Sequence, residues 1–417
     1  MRGAKDLETS EFADSQTFRS YLLFWSGQLV SLFGSSVSSF VIIWWITLET
    51  GSTLYLSLSS LIGFAPMIVL APVTGVLADR WNRKILIAVV DFLQAAAIMV
   101  LIFLFWSGTN GIWQTLALLG LKGIFQAFHT PTVMAIIPTM VPREKLSRMN
   151  GVNYVFTSGV NLIGPVTAAV LLSFIPISQI LWLDVLTFLI ALVPLLAITI
   201  PSVVKKEEKQ SRFRRQFAEG FGFIRGATGL LPLIMVATSI NFLLAPLSTL
   251  LPYFVKVEHF GIASDLALVM VLFQGGAFAG GILMSVLKIS RNKVLLMVSS
   301  MYLLFAGYVL VSVTPTGLFW FMGLSGLVLS ISFPILEVLT MTLLQTVVPV
   351  KMQGRVNSVV ISLAHAAQPL GMALSGLASI VRTTNLFLGC SIVGILVVTL
   401  SWFFTDMKHV VTLENIT

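Results

Sequence analysis

The chain has 417 residues, of which 57% are hydrophobic and only 10% are charged, and its mean hydropathy is +0.96. A soluble domain has about 25% charged residues, so this composition excludes a soluble protein. The formal net charge is +8, but the basic residues cluster in short segments between apolar runs. That pattern is typical of membrane-protein loops rather than of a nucleic-acid-binding surface. The one cysteine, Cys390, lies in an apolar run, which excludes a disulfide within the chain and a cysteine-based metal site.

Apolar runs that are long enough to cross a bilayer, which takes about 20 residues, recur along the chain. Turn signals split three of these runs, at residues 107–111, 175–178 and 314–317. The polar segment 1–17 carries no cleavable signal pattern, so we expect the first run to remain as a membrane anchor. The sequence therefore predicts an all-α membrane protein with twelve transmembrane helices. These helices lie near residues 18–48, 53–78, 84–106, 112–140, 147–174, 179–200, 230–255, 265–288, 293–313, 317–347, 355–380 and 384–404.

The distribution of lysine and arginine predicts how these helices are oriented. If both termini are cytoplasmic, all but three of the 25 basic residues fall in or beside cytoplasmic segments. The exceptions are Lys256 and Arg382, which would lie outside, and Lys122, which lies within a helix. Cytoplasmic loops carry the excess of basic residues. We therefore predict a multi-pass protein of the bacterial inner (plasma) membrane with both termini in the cytoplasm.

The segment between the second and third predicted helices, residues 75–84, reads G-V-L-A-D-R-W-N-R-K and places four charges within six positions. It therefore predicts a tight turn outside the hydrocarbon. Gly75 allows two helices to approach closely. Asp79 suits a helix N-terminus, where a carboxylate meets unpaired N–H groups and the positive end of the helix dipole. Three basic residues would hold the turn in the cytoplasm, namely Arg80, Arg83 and Lys84. The alternative is a positive-inside hairpin with no further role.

Residues 201–229 interrupt the apolar pattern at mid-chain. A charged run at 205–209 is followed by apolar residues that recur at helical spacing among arginines. These apolar residues are Phe213, Phe217, Phe221 and Ile224. The pattern predicts an amphipathic helix that lies on the inner leaflet of the membrane, with a loosely ordered linker as the alternative.

The two halves of the chain echo each other on either side of this segment. The Val-Pro pair at 141–142 is followed eight residues on by Asn150, and the pair at 348–349 is followed eight residues on by Asn357. The offset is 207 residues in both cases. Such internal repeats are typical of secondary transporters. We therefore predict two six-helix pseudo-repeat bundles: an N-terminal bundle over 1–200, a cytoplasmic linker over 201–229 and a C-terminal bundle over 230–417.

Several ionisable side chains lie within the predicted helices. Placing such a group in hydrocarbon costs at least about 2.5 kcal/mol, so these residues usually face the protein interior or a water-filled cavity. The candidates for proton coupling are Asp91, Lys122, Asp184, Glu337 and His365. A further histidine, His129, precedes Pro131, as His365 precedes Pro369. The alternative role for both histidines is to satisfy backbone groups that the prolines free.

Lys122 is the candidate with the sharpest expectation. We expect a fixed positive charge that tunes the proton affinity of a carboxylate, with Asp91 and Glu337 as the first partners to test. The alternative is a salt bridge that only locks helices together. Each carboxylate also has a structural alternative as an ion-pair partner or helix cap. For Asp184 the proximity of the outer helix end favours a solvated cap.

The fifth predicted helix carries small residues and a proline in a regular pattern. Gly151 is followed by Gly164-Pro165, with Val160 and the pair Ala168-Ala169 at intermediate and later positions. Small residues allow close helix approach, and proline kinks a helix. The alternative is ordinary small-residue packing.

Together these motifs resemble the major facilitator superfamily. The spacing of residues 75–84 is similar to the signature loop between the second and third helices of that family, with Asn82 where glycine is usual. The chain resembles the macrolide-efflux branch through four short motifs: residues 75–84, Phe128-His129-Thr130-Pro131, Gly51-Ser52 and Gly354-Arg355-Val356. Lys122 is similar to the basic residue of a fourth-helix motif in drug–proton antiporters, although arginine is usual there. Gly151, Gly164 and Pro165 match an antiporter motif of the fifth helix in part.

The resemblance implies a monomeric secondary transporter that exports bulky amphipathic drugs, macrolides being the best single candidate, in exchange for protons. It also implies that Asp79 docks on the N-terminus of the eleventh helix, near Gly354 and Arg355, and stabilises an outward-open state. Related proteins that move lysophospholipids or siderophores supply the first alternatives for the substrate. A receptor or scaffold that has lost transport is the alternative from another class. We find no nucleotide loop, metal-ligand cluster or hydrolase motif, so we predict neither enzymatic activity nor a cofactor.

Overall fold

The computed structural model describes residues 15–71, 73–74, 77, 81–201, 211–286, 293–349 and 352–407. Within these ranges the chain is helical and contains no strand. The helices in the N-terminal half are α1 (Ser15–Thr50), α2 (Thr53–Val69), α3 (Arg83–Ser107), α4 (Ile112–Met140), α5 (Arg143–Leu172) and α6 (Ile177–Ala197). The following helices are α7 (Ser211–Gly226), α8 (Leu230–Tyr253), α9 (Ala263–Val286), α10 (Lys293–Ser312), α11 (Phe319–Ser330), α12 (Ser332–Val347), α13 (Gln353–Ala366), α14 (Gln368–Leu374), α15 (Ala378–Val381) and α16 (Thr383–Phe404). A π-helical turn, Phe254–Glu258, extends α8.

Ten helical stretches in the described part of the chain are long and apolar enough to cross a membrane. Two other helices occupy positions where the sequence predicts a span. The described part of α2 is apolar but has 17 residues. In α4 the polar side chains Lys122, Gln126 and His129 lower the hydropathy of a helix that is 29 residues long. Over its described residues, each predicted segment overlaps one of these helices or consecutive helices, because runs of apolar residues bounded by charges and turn residues determine both the prediction and the helices.

The chain divides into two compact units. The first comprises Met1–Ile46 and Ile62–Lys206, and the second comprises Thr47–Leu61 and Glu207–Thr417. In the first unit, large apolar side chains of α1, α3, α4 and α6 form a buried cluster that includes Phe24, Ile87, Ile136 and Leu195. In the second unit, α9 packs closely on α11, since a Cβ added at Gly276 would lie 2.8 Å from the Cα of Leu327. Cys390 of α16 is also buried in the second unit, where it is 5% exposed.

The amphipathic helix expected at mid-chain corresponds to α7, and two of its apolar side chains pack against protein. Ile224 is fully buried, and Phe217 packs against the same cluster, which includes Val356 and Val359 of α13. Glu219 of α7 forms an ion pair with Arg355 of α13 at 2.5 Å. Phe217 and Ile224 therefore pack on an apolar surface of α13, whereas Phe221 of the same helix is exposed.

The fifth helix contacts α1 at one of its two motif glycines. A Cβ added at Gly164 would lie 2.7 Å from the Cβ of Ser36, so the close approach at this position requires glycine. Gly151 has no neighbouring atom within 4 Å of such a Cβ. Pro165 lies inside the helix directly after Gly164. Close packing thus explains Gly164 and leaves Gly151 without a steric role in this structure.

Candidate functional site

Lys122 of α4 and Asp184 of α6 form an ion pair inside the first unit. The Lys122 Nζ lies 3.1 Å from the Asp184 Oδ2, and the two side chains are 16% and 8% exposed. The Asp184 carboxylate also accepts hydrogen bonds from the Ser35 hydroxyl at 2.8 Å and from the Ser38 hydroxyl at 2.7 Å. Each carboxylate oxygen therefore has a donor, as a buried charge requires.

This pairing corrects two expectations from the sequence. Lys122 pairs with Asp184 and not with Asp91 or Glu337, the partners that we named first. Asp184 is not a solvated cap at an outer helix end, because α1 covers it. Gly34 permits that cover, since a Cβ at this position would lie 2.9 Å from the Cα of Asp184.

A second pair joins α3 to α4 in the same unit. The His129 Nε2 lies 3.1 Å from the Asp91 Oδ1, and the side chains are 17% and 11% exposed. The Gln28 Oε1 lies 3.1 Å from the same nitrogen. His129 therefore engages side chains of α1 and α3, whereas the sequence suggested that it serves backbone groups near Pro131.

Glu337 and His365 lie in the second unit, where both line a cavity of about 490 Å³. The other side chains that line it are mainly apolar, and they include Met297, Met301 and Met341. Glu337 is exposed and forms no ion pair or hydrogen bond with any residue that the structure describes. The His365 Nδ1 lies 3.1 Å from the Gln368 Oε1, so a side chain and not the backbone is its partner.

A second cavity in this unit, of about 340 Å³, adjoins the first, because Asn241 and Phe333 line both. Its further lining includes two glutamines, Gln274 and Gln368. Small-molecule pockets typically have about 300–1,000 Å³, apolar walls and a few polar groups that orient the ligand. Each of these cavities has those properties.

The predicted switch loop is described only in part. Gly75, Asp79 and Arg80 lie outside the described residues, and so does the expected docking of Asp79 near Gly354 and Arg355. Asn82, which departs from the usual glycine, accepts hydrogen bonds from the backbone N–H groups of residues 84 and 85 and so caps α3.

The two described basic residues of this loop bind carbonyl groups. The Arg83 Nη1 donates to the Ala135 carbonyl of α4 at 2.8 Å. The Lys84 Nζ donates to the carbonyls of Leu196 and Ile198, at the end of α6, at 2.7 Å each. Cations suit the carbonyl end of a helix, so these two residues of α3 join it to α4 and α6.

The sequence analysis did not identify Ser35 and Ser38, which bind Asp184, or Gln28, which contacts His129. Ser35 and Ser38 are three residues apart on one helical face, and Ser35 directly follows Gly34. That spacing is a usable signal, because a small residue allows close approach and the hydroxyls then reach the neighbouring helix. Gln28 lies seven residues, or about two helical turns, before Ser35 on the same helix. No pattern in the sequence indicated the ion pair that Glu219 forms with Arg355.

Ten helical stretches of membrane-spanning length and two largely buried ion pairs define an integral membrane protein that holds charges within its helices. Residues 24–366 match the Major Facilitator Superfamily. The chain belongs to this superfamily of membrane transporters, and it is a transporter rather than an enzyme.

The relatives and solved structures that resemble the chain agree with this assignment. The chain is 30% identical over 355 residues to macrolide efflux protein A of Streptococcus pyogenes, which covers 85% of this chain and 87% of that protein. It is 28% identical over 324 residues to macrolide efflux protein A of Enterococcus faecalis, over 77% of this chain and 100% of that protein. A bacterial homologue of the iron transporter ferroportin, solved in an inward-facing state, matches with a TM-score of 0.72 at 15% identity, over 92% of this chain and 98% of that chain. The last likeness concerns the fold alone. The resemblance to the macrolide-efflux branch is confirmed.

Proposed function

We propose that this protein exports bulky amphipathic compounds of the macrolide type in exchange for protons, by alternating access. It works as a monomer in the bacterial inner membrane, with both termini in the cytoplasm. Twelve transmembrane helices form its two bundles, with boundaries at 1–200, 201–229 and 230–417. The names of the relatives in Streptococcus pyogenes and Enterococcus faecalis support the substrate class.

The ion pair of Lys122 and Asp184 is the observation that carries the proton-coupling part of the proposal. One cation and two hydroxyls surround the carboxyl group of Asp184. Protonation would remove its charge, break the attraction to Lys122 and loosen the contact of α4 with α6. A proton can thus be bound in one conformation and released in the other. The other candidates, Asp91, Glu337 and His365, would contribute to the same cycle.

The energy of one proton is sufficient for useful export. At a membrane potential of 100 mV each inward proton supplies about 2.3 kcal/mol from the electrical term alone. At about 1.4 kcal/mol per factor of ten, this supports nearly fifty-fold accumulation of a neutral compound. One titrating carboxylate is therefore enough.

The cavities of the second unit support an amphipathic substrate. Methionine side chains are flexible and fit irregular apolar surfaces, and the amides of Asn241, Gln274 and Gln368 offer hydrogen bonds to polar groups. We assign the conformational change to the loop residues Gly75, Asp79, Arg80, Arg83 and Lys84 together with Gly354 and Arg355. Gly151, Gly164 and Pro165 would shape the helix-5 interface that favours exchange.

The test is export of a labelled macrolide from inside-out vesicles or loaded cells, with and without a protonophore. We expect the proton gradient to be required and Asp184→Asn to abolish coupled export at normal expression. Glu49→Gln is the control, because it removes an exposed carboxylate at the end of α1. Export that persists after the gradient collapses would contradict proton coupling. Export of a lysophospholipid or a siderophore, but of no macrolide, would contradict the proposed substrate class and leave the transporter assignment intact.

A further inference from the structure

The two ion pairs of the first unit border a common cavity of about 20 Å³. The residues that line it include Asp184 of the pair with Lys122 and Asp91 of the pair with His129, together with Ser31, Ser35 and Gln94. A site needs about 10–15 Å³ and two to four polar partners to hold one water molecule. This cavity therefore has the volume and the polar lining for one water between the two carboxyl groups.

The basic partner of each carboxyl group, Lys122 for Asp184 and His129 for Asp91, does not line the cavity. Asp184 binds Lys122, Ser35 and Ser38. Asp91 binds His129 through Oδ1. Among the residues that the structure describes, no third titratable side chain lines the cavity. The groups that titrate or carry charge around it are thus the two carboxyl groups and their two basic partners.

Gln28 favours one position for the hydrogen of His129. The Nε2 of this histidine faces two oxygens at 3.1 Å, the Asp91 Oδ1 and the Gln28 Oε1. Two acceptors around one nitrogen favour a hydrogen on that nitrogen, which then donates to Asp91. A proton bound by Asp91 consequently belongs on its other oxygen, away from His129.

We propose that one water in this cavity joins Asp91 and Asp184 into a single proton-binding centre, through which a proton passes between them. In the transfer, the O–H bond of protonated Asp91 breaks and its proton joins the water. The water gives one of its own protons to the Asp184 carboxylate, so the water is regenerated. Asp184 becomes neutral and releases Lys122, while Asp91 becomes ionised beside His129. This proposal rests on the proposed exchange of substrate for protons.

The first experiment follows the carboxyl groups by infrared spectroscopy during a pH titration of the purified protein. We expect the two carboxyl groups to titrate in linked steps, because they interact across one water. In Asp91→Asn, the titration midpoint of Asp184 should change, since a neighbouring negative charge is gone. Asp184→Asn should displace the midpoint of Asp91 in the same way. Midpoints that do not respond to the other substitution would overturn the proposal.

The second experiment fills the cavity without touching a charge. Ala95 of α3 lines it, whereas Ala97 of the same helix is buried but does not. Proton transfer needs hydrogen-bond contact. Ala95→Val should therefore slow substrate-driven proton uptake in vesicles at least about tenfold, while Ala97→Val remains near the rate of the unaltered protein. Ser31→Val fills the cavity from α1 and serves if Ala95→Val does not fold. Equal rates in the cavity-filling and control variants would overturn the relay.

The two proposals fail in different ways. Linked carboxyl groups in a protein that exports its substrate without proton uptake would refute proton exchange and leave the shared centre standing. Proton-driven export with unlinked carboxyl groups would refute the shared centre alone.

Discussion

Replacement of Lys122 by methionine should destabilise the protein by an amount that depends on pH. The substitution keeps an unbranched side chain of similar length but leaves Asp184, whose side chain is 8% exposed, without its cation. Removing one partner of a buried pair typically costs about 3–5 kcal/mol. The hydroxyls of Ser35 and Ser38 remain as donors to the carboxylate, so we expect the lower part of this range.

Proton uptake sets a limit on that loss. An aspartate in water has a pKa of about 3.9, so protonating it at pH 7 costs about 4 kcal/mol. In the variant, Asp184 can become protonated at that cost, so the loss in free energy of unfolding at pH 7 stays near or below about 4 kcal/mol. Each unit of decrease in pH lowers the cost of protonation by about 1.4 kcal/mol. The stability difference between the two proteins should shrink accordingly as the pH falls.

The assay is unfolding of the purified protein in detergent between pH 5 and pH 8, by denaturant or by heat. The double variant Lys122→Met with Asp184→Asn should recover most of the loss, because it buries no charge. A loss below about 1 kcal/mol that is the same at every pH would refute the reasoning. That result would mean that water reaches Asp184 freely and that the pair resembles a surface salt bridge.

Three further predictions concern packing and the end of α8. Gly34→Ala should lower the unfolding temperature of the protein and reduce transport, because the added methyl group would collide with the backbone at Asp184. Gly159→Ala is the control in the same thermal assay, because its methyl group meets open space. Glu258→Gln should lower stability by about 1 kcal/mol, because this carboxylate accepts a hydrogen bond at 2.8 Å from the first N–H of α16; an unchanged unfolding temperature would contradict this role. Burial lowers the pKa of His259, an effect that Glu258 partly offsets. The neutral side chain of His259 therefore contributes to stability above about pH 6.5, and this contribution is lost as the pH falls through the pKa of the folded state. His259→Phe should consequently make unfolding less sensitive to acid. Equal pH profiles for the two proteins would exclude His259 as the cause.

The helices and their order could be predicted from the sequence because both depend on runs of apolar residues along the chain. Lys122 could be identified for the same reason, since a charge within such a run is conspicuous. Its partner could not, because the choice among Asp91, Asp184 and Glu337 depends on which helices touch. Gly34 decides that contact, and a single glycine in an apolar helix does not reveal which helix it faces.

The amphipathic helix α7 shows a similar limit. Hydrophobic periodicity reveals that one face of a helix will be covered, but lipid and protein satisfy the same pattern. Val356 and Val359 provide the cover for the side chains of Phe217 and Ile224. Asn82 could be interpreted from the sequence more directly. It stands where the family usually has glycine, and it caps the N-terminus of α3, a position that asparagine favours.

Cys390 gives the chain a practical property for spectroscopy. It is the only thiol in the sequence, and α16 holds it buried in the second unit. A cysteine introduced at an exposed position would therefore react with a maleimide or spin-label reagent far faster than Cys390, without a prior substitution of the native residue. Slow labelling of Cys390 itself would report how often the second unit opens, and a cysteine introduced into the first unit would provide a separate reporter there.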